Sequence, residues 1–563
     1  MTRNQWLLTI VIVIVVCALG AAVVGVLGYG ILTSGRQVVS PPGVPEEATP
    51  QPTPLPTSPP PHREGAVLNL PGADPPTLDP ALVGDETSAR YVLEIFSGLM
   101  TIDKDLQIVP DIAESWEVSD DGTSYTFHLR QDVKFHNGRP LTAQDVKYSL
   151  ERACDPDTGS VTADTFLGDI VGAKEKLRGQ ADEVSGVKVI DDYTLEITLK
   201  APRAYFLAEL THPVAFVVDR ENIERMGRLW TDEPNGTGPF KLKEYRLAER
   251  IVLERNEFYY GTPKPALERV NFFLAGGSAM IMYENGELDA TPVGLADIDR
   301  VLDPTNPLNK ELTIAPQWST VYIGFNVNEP PFDDVKVRQA FNYALDRDKI
   351  NKVVMKNMER TAKGILPPGM PGYNEDLQGF PYDPEKARQL IAESKYGSVE
   401  NFPDIILNVT GGGGAPFRSV AAIVEMYKEN LGVDITIEQT EWAIYLTDLK
   451  THRYQMFGVA SGWIADYPDP QDFLDVLFHS QSLDNDTEYS NPEVDRLLEE
   501  ARAEQDPEKR MQIYRRVEEI IVNDAPWVPL SHGVDYWLTK PYVKGMVYPP
   551  MTISKLKYVS ISK

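Results

Sequence analysis

The chain has 563 residues, more than one hydrophobic core organises, and its 42% apolar content with 25 Tyr, 19 Phe and 8 Trp describes a folded body of two or three domains. Acidic residues outnumber basic ones by 83 to 54, a formal charge of −29, which argues against a nucleic-acid partner because phosphate binding needs clustered Lys and Arg. Two cysteines, Cys17 and Cys154, are too few for a disulfide framework.

The first element in chain order is the uncharged run Trp6 to Leu32. At about 1.5 Å per residue it spans a hydrocarbon core of about 30 Å with some tilt, so residues 1–36 read as an uncleaved transmembrane anchor. A cleavable signal has a shorter apolar region, although Ala21 and Ala22 leave room for cleavage. Val16 precedes Cys17 and the apolar run continues past it, which does not suit a lipid-modified cysteine. Pro41 to Pro61 then carries ten prolines in 21 residues and is expected to form an extended stalk, residues 37–65, rather than part of a core. The globular body begins near Ala66, and no second apolar span follows.

Within the body, "TSYTFHLR" (Thr123 to Arg130) alternates at the strand period, and "GVKVIDDYTLEITLK" reads as two strands joined at Asp191–Asp192. Thr142 with Asp145 has the spacing of a capping box. Asp383–Pro384, Asn491–Pro492 and Asp506–Pro507 each set a capping side chain before a proline at the first helical position. The last pair opens an amphipathic helix, "DPEKRMQIYRRVEEIIVND". Strands and helices are mixed throughout, which makes the fold class α/β or α+β, multidomain.

Enzyme chemistry is not legible. No H-E-x-x-H, paired C-x-x-C, Walker loop or G-x-S-x-G occurs, so no catalytic residue, metal ligand or cofactor is assigned. Gly411 to Gly414 lies between a strand-like and a helix-like segment and reads as a flexible turn or, less simply, an anion cradle. Asp466, Asp469, Asp472 and Asp475 invite a calcium reading, but a spacing of three does not match an EF-hand loop. The segment "GWIADYPDP" (Gly462 to Pro470) concentrates recognition chemistry without a nucleophile. Asp469 before Pro470 reads as a helix cap for "QDFLDVLF", which leaves Asp466 free for a ligand, or for a cap or a backbone amide.

Several ordered motifs carry a resemblance: "NLPGADPPTLDPALVGDETSARYVLEIFSGLM" from Asn69, "AESWEVSDDGTSYTFHLRQDVKFHNGRPLTAQDVKYSLER" from Ala113, "NGTGPFKL" from Asn235, "GELDA" from Gly286, "NVNEPPFDDVKVRQAFNYALDRDKI" from Asn326, "GWIADYPDPQDFL" from Gly462 and "KPYVKGM" from Lys540. Together, from about Ala66 onward, they resemble the family 5 extracellular solute-binding proteins, the oligopeptide- and dipeptide-binding receptors of ATP-binding-cassette (ABC) importers. The resemblance implies a periplasmic-binding-protein-like α/β fold of the cluster C type, with two lobes on a hinge and an extra small domain. Lobe I is expected over 66–99, 205–315 and 526–563, the small domain over 100–204 and lobe II over 316–525. It also implies a monomer, not an enzyme, that takes a peptide in the interlobe cleft and delivers it to a permease in the same bacterial cell membrane, with the body on the extracytoplasmic side.

The resemblance further implies that Asp466 pairs with the ligand's α-ammonium, that Trp463 and Tyr467 supply an apolar wall and a polar-tipped surface, that Trp318 and Tyr322 add aromatic walls, and that Gly84, Asp85 and Glu86 lend backbone contacts. Relatives that clamp a short peptide's carboxylate place a basic residue just ahead of the Gly-Trp pair, where Val459 to Ser461 are uncharged. Longer or length-tolerant peptides are therefore favoured over strict dipeptides. A non-peptide solute, such as an oligosaccharide or a metal chelate, stays open as the alternative.

Overall fold

Local chemistry builds the elements where the sequence predicts them. In the computed structural model, which describes residues 66–411 and 414–562, the alternating segment forms the strand Ser124–Leu129, with Tyr125, Phe127 and Leu129 turned inward. It lies in a four-stranded antiparallel sheet in the order Ala113–Val118, Ser124–Leu129, Thr194–Thr198, Val187–Asp191. The turn between the last two strands is closed by Asp191, whose carboxylate accepts a hydrogen bond from the Tyr193 amide at 2.8 Å. Thr142 and Asp145 form the capping box. Asp383, Asn491 and Asp506 cap Pro384–Glu393, Pro492–Ala503 and Pro507–Asp524, each with proline in the first turn.

Two further sheets follow, beside two short two-stranded ribbons, Met100–Ile102 with Ile108–Pro110 and Val543–Lys544 with Ser560–Ile561. One has the order Val67–Pro71, Arg269–Phe273, Arg250–Arg255, Phe240–Arg246, the first pair parallel and the others antiparallel. The other has the order Ala290–Pro292, Trp527–Thr539, Leu312–Phe325, Met456–Ile464, Ile405–Thr410, Ile435–Thr440, with Arg360–Thr361 beside Trp527–Thr539. Its two longest strands, Leu312–Phe325 and Trp527–Thr539, pair antiparallel from Leu312↔Leu538 to Gly324↔Trp527. Their register breaks between Pro316 and Thr320 and again between Val321 and Tyr322. Such irregularities bend and twist a ladder, and these lie where the chain passes from the expected lobe I into the expected lobe II.

The far end of this sheet packs on Val335–Tyr343, Pro384–Glu393 and Arg418–Leu431 through an apolar core that includes Phe325, Phe341, Leu407 and Tyr427. A separate core beneath the Val67–Pro71 sheet includes Tyr91, Phe96, Phe240 and Phe272. The small sheet's core runs on without a break into Gln471–Phe478, Pro492–Ala503 and Pro507–Asp524. Each large side chain buried in these clusters contributes about 1.5–3 kcal/mol.

The expected anchor and stalk, residues 1–65, lie outside the described residues. Among the described residues no helix is long and apolar enough to cross a membrane.

Candidate ligand-binding cleft

The strand Met456–Ile464 sits between two neighbours of unequal length. Leu312–Phe325 pairs with it at Met456–Gly458 and again at Gly462–Ile464, with a register shift between the two, whereas Ile405–Thr410 pairs with it only at Met456 and Phe457. Beyond Phe457 the outer edge of this strand has no strand neighbour among the described residues. The departure is marked by positive φ angles at Gly458 (114°) and Val459 (67°). An unpaired strand edge offers backbone donors and acceptors to an extended chain.

Alternation along the strand pair then sorts the side chains. Ser319↔Ile464 and Val321↔Gly462 point to one face and Thr320↔Trp463 to the other. Against the first face lie two cavities of about 370 Å³ each. One is lined by Ser319, Val321, Gly462, Arg347 and Glu359; the other by Glu86, Arg90, Asp535, Trp537 and Lys555; Gln317 and Ile464 border both. They adjoin where the register of the two long strands is broken.

On the other face, Trp463 is half-buried and its Nε1–H points at Asp472 Oδ2, 3.4 Å away. The same oxygen accepts the Asp466 amide at 3.0 Å. Asp472 is fully buried and its Oδ1 has no partner. Burial and the neighbouring Asp466 carboxyl push its pKa well above the usual carboxylate range. Asp466 itself is half-buried, and its carboxylate meets neither a hydrogen-bond donor nor a cation among the described residues. Burial, with the charge of Asp484 added, pushes it up to about 7. Asp484 in turn is held by Lys450 at 2.8 Å and by the Thr165 hydroxyl at 2.7 Å. Asp466 is thus a partly desolvated carboxyl for which no side chain among the described residues supplies a positive partner.

The remaining aspartates of this stretch are occupied elsewhere. Asp469 accepts the Gln471 amide at 2.9 Å, as a cap does, and is forked by Arg510 at 2.6 and 2.8 Å. Asp475 is forked by Arg502 at 2.6 and 2.7 Å. Among the described residues no group of three or more His, Cys, Asp or Glu side chains is placed to hold a metal ion.

Other expected site residues are placed as follows. Tyr322 is 8% exposed and stacks on Trp527 with ring centroids 3.4 Å apart. Tyr467 is fully buried, its hydroxyl bound to Gln471 Oε1 and its ring edge-on to Phe166 at 6.0 Å. Trp318 is 6% exposed, and its backbone joins Pro550 and Ala465. All three therefore sit within the core behind Trp463. Asp85 caps the helix Glu86–Ile95 by accepting the Ser88 amide, Gly84 is exposed, and Glu86 lines the second cavity. Lys555, Asp535, Arg347 and Glu359 were not foreseen, because each sits in a segment whose sequence is ordinary for its helix, strand or loop.

Comparison with known proteins agrees with this architecture. The family described as bacterial extracellular solute-binding proteins, family 5 Middle, matches residues 107–485. The Bacillus subtilis dipeptide-binding protein DppE is 32% identical over 86% of this chain and 90% of its own length. Heme-binding protein A of Haemophilus influenzae is 32% identical over 86% of this chain and 90% of its own. Among solved structures, Haemophilus influenzae OppA in complex with RPPGFSPFR superposes with a TM-score of 0.78 at 28% identity, over 89% of this chain and all of that one. The MppA periplasmic murein tripeptide binding protein in its unliganded open form gives 0.66, also at 28% identity, over 89% of this chain and 99% of that one. The chain belongs to the bacterial extracellular solute-binding proteins of family 5, transport receptors that bind and do not catalyse.

Proposed function

We propose that this protein is a membrane-tethered extracytoplasmic receptor that captures peptides, oligopeptides in particular, between two lobes and delivers them to an ABC importer. The observation that carries the reading is Asp466: a partly desolvated carboxylate with no partner among the described residues, two residues beyond the strand whose outer edge has no strand neighbour among them. A peptide supplies what both lack. Its backbone adds to the edge from Val459 onward, and its α-ammonium, present whatever its side chains, pairs with Asp466. Trp463 forms the wall beside the ammonium, with Trp318, Tyr322 and Tyr467 holding it from behind. The segment Gly84 to Glu86 faces the ligand from lobe I.

Further support comes from the relatives, whose printed names include dipeptide- and oligopeptide-binding proteins, and from the better superposition on a complexed receptor than on an open one, which favours a closed arrangement of the lobes here. Lobe I comprises 66–99, 205–315 and 526–563, and lobe II comprises 316–525. The hinge lies in the two long strands, at the register breaks between Pro316 and Tyr322. Residues 1–36 anchor the body, and the stalk 37–65 keeps it beside the permease that it serves.

Titration of the purified full-length chain with a free peptide and its N-acetylated form tests the reading. The free peptide binds, and acetylation or Asp466→Asn weakens binding by about two to three decades, as expected for removing one partner of a buried ion pair. Affinity that survives Asp466→Asn within about threefold overturns the peptide reading. The heme-binding relative supports a second reading, a non-peptide solute; binding of heme or an oligosaccharide that is indifferent to Asp466→Asn would favour it.

A further inference from the structure

The cavity bordered by Glu86 contains two charged side chains that the protein leaves unpaired. Of its ionisable groups, Glu86 is taken by Arg90 at 3.1 Å and by the Thr552 hydroxyl at 3.3 Å. Glu94 accepts the amides of Lys555 and Leu556 at 2.8 and 3.0 Å and the Ser554 hydroxyl at 3.2 Å. That leaves the Lys555 ammonium and the Asp535 carboxylate. Neither has a hydrogen-bond partner, nor an oppositely charged group within 4.0 Å, among the described residues, and both are only half-buried. Asp535 and Trp537 point to the same face of the strand Trp527–Thr539, two positions apart. Trp537 stacks on Tyr548 at 5.2 Å, and the Lys555 ammonium lies 6.0 and 5.5 Å from the two ring centroids.

We propose that this cavity is a side-chain subsite for a carboxamide, the glutamine or asparagine residue of a bound peptide. The Lys555 ammonium donates to the amide oxygen, the amide NH₂ donates to Asp535, and the stem of the side chain lies along Trp537 and Tyr548. The inference rests on the peptide reading above.

The selectivity follows from having one donor and one acceptor without hydrogen-bond partners in the same partly desolvated space. A ligand carboxylate satisfies Lys555 but confronts Asp535; a ligand ammonium does the reverse; an aliphatic side chain leaves both polar groups stranded. A carboxamide carries an acceptor and two donors on one planar group and satisfies both at once. The two groups feel this confinement already. Burial and nearby Arg90 lower the pKa of Lys555, while burial and Glu86 raise that of Asp535.

The test uses alanine pentapeptides carrying Gln, Glu, Lys or Leu at each position in turn, titrated calorimetrically into the full-length wild type, Lys555→Met and Asp535→Asn. At one position glutamine is expected to exceed the other three by about tenfold or more. Lys555→Met moves that preference toward lysine, and Asp535→Asn moves it toward glutamate. Circular dichroism and melting of each variant establish that it is folded, and either variant alone reports its half of the prediction. If pentapeptides bind but no position prefers glutamine, or if neither variant changes the ranking, the subsite is wrong and the peptide reading stands. If no pentapeptide binds the wild type, the peptide reading falls and the subsite falls with it.

Discussion

Replacing Asp466 with asparagine should make the empty protein more stable at alkaline pH while it ruins the site. Folding raises this carboxyl from its ordinary 3.8 to about 7. A carboxyl raised in the folded state favours folding while it is protonated, and that contribution is withdrawn as the pH climbs from about 4 through about 7. The full interval corresponds to about 4 kcal/mol. Between pH 5.5 and 8.5 the wild type should therefore lose about 2 kcal/mol relative to Asp466→Asn, whose amide does not titrate. Urea denaturation of both proteins, without ligand, at several pH values in that range measures the difference directly. The sign is as informative as the size. A carboxylate paired by the fold would favour the wild type at high pH, so a wild-type advantage that grows with pH, or a gap that stays constant, would refute the account of an unpaired anion. In the presence of peptide the dependence inverts. The ligand ammonium requires the ionised carboxylate, so affinity should fall about tenfold for each pH unit below 7.

Three other substitutions probe the scaffold around the cleft. Arg510→Met leaves Asp469 without the fork at 2.6 and 2.8 Å that fixes the turn before Gln471–Phe478; a stability loss of about 3–5 kcal/mol in urea is expected, with a smaller loss when Asp469→Asn is combined with it. Gly458→Ala puts a Cβ 2.3 Å from the Tyr322 carbonyl oxygen at a φ of 114°, and strain of about 1–3 kcal/mol should appear both as lower stability and as weaker peptide binding, because the free strand edge begins there. Tyr322→Leu breaks the stack on Trp527 and should cost about 2–4 kcal/mol of stability; the peptide affinity of the folded fraction, measured calorimetrically, should change by less than about threefold.

The sequence was most legible where a few neighbouring residues decide the outcome. The capping box at Thr142, the Asx turn at Asp191 and the helices opened by Asp383, Asn491 and Asp506 all depend on contacts within four residues, and the structure has each of them. Other features depend on partners distant in sequence. Nothing in "MFGVASGWI" announces that Ile405–Thr410 stops pairing at Phe457, although that event frees the edge. Gly462 and Ile464 face the cavities while Trp463 faces the opposite side, a distinction fixed by register against Leu312–Phe325. The second cavity assembles Glu86, Asp535 and Lys555 from two ends of the chain, and no local pattern marks any of them. Asp466 is marked in the sequence by resemblance to a family motif, but its lack of a partner among the described residues is a property of the fold, in which Asp469 and Asp475 are taken by arginines.

Why Asp466, rather than Asp472, should be the anchor follows from their shared environment. Asp466 lies close enough to raise the cost of ionising Asp472, while burial and the charge of Asp484 raise that of Asp466, so in the empty site both carboxyls are pushed toward holding a proton. Asp472 is sealed from solvent and spends one oxygen on Trp463 and on the Asp466 amide. It therefore positions the turn, and its burial works against ionisation. Asp466 alone retains exposure, and it is the carboxyl that a ligand cation can reach. On the proposed reading, a peptide ammonium arriving there would favour the ionised form of Asp466, which would couple capture to deprotonation. A receptor that leaves the Asp466 carboxylate uncommitted would, on that reading, gain selectivity for a free amine there, and tolerate the lower stability of the empty state that comes with it.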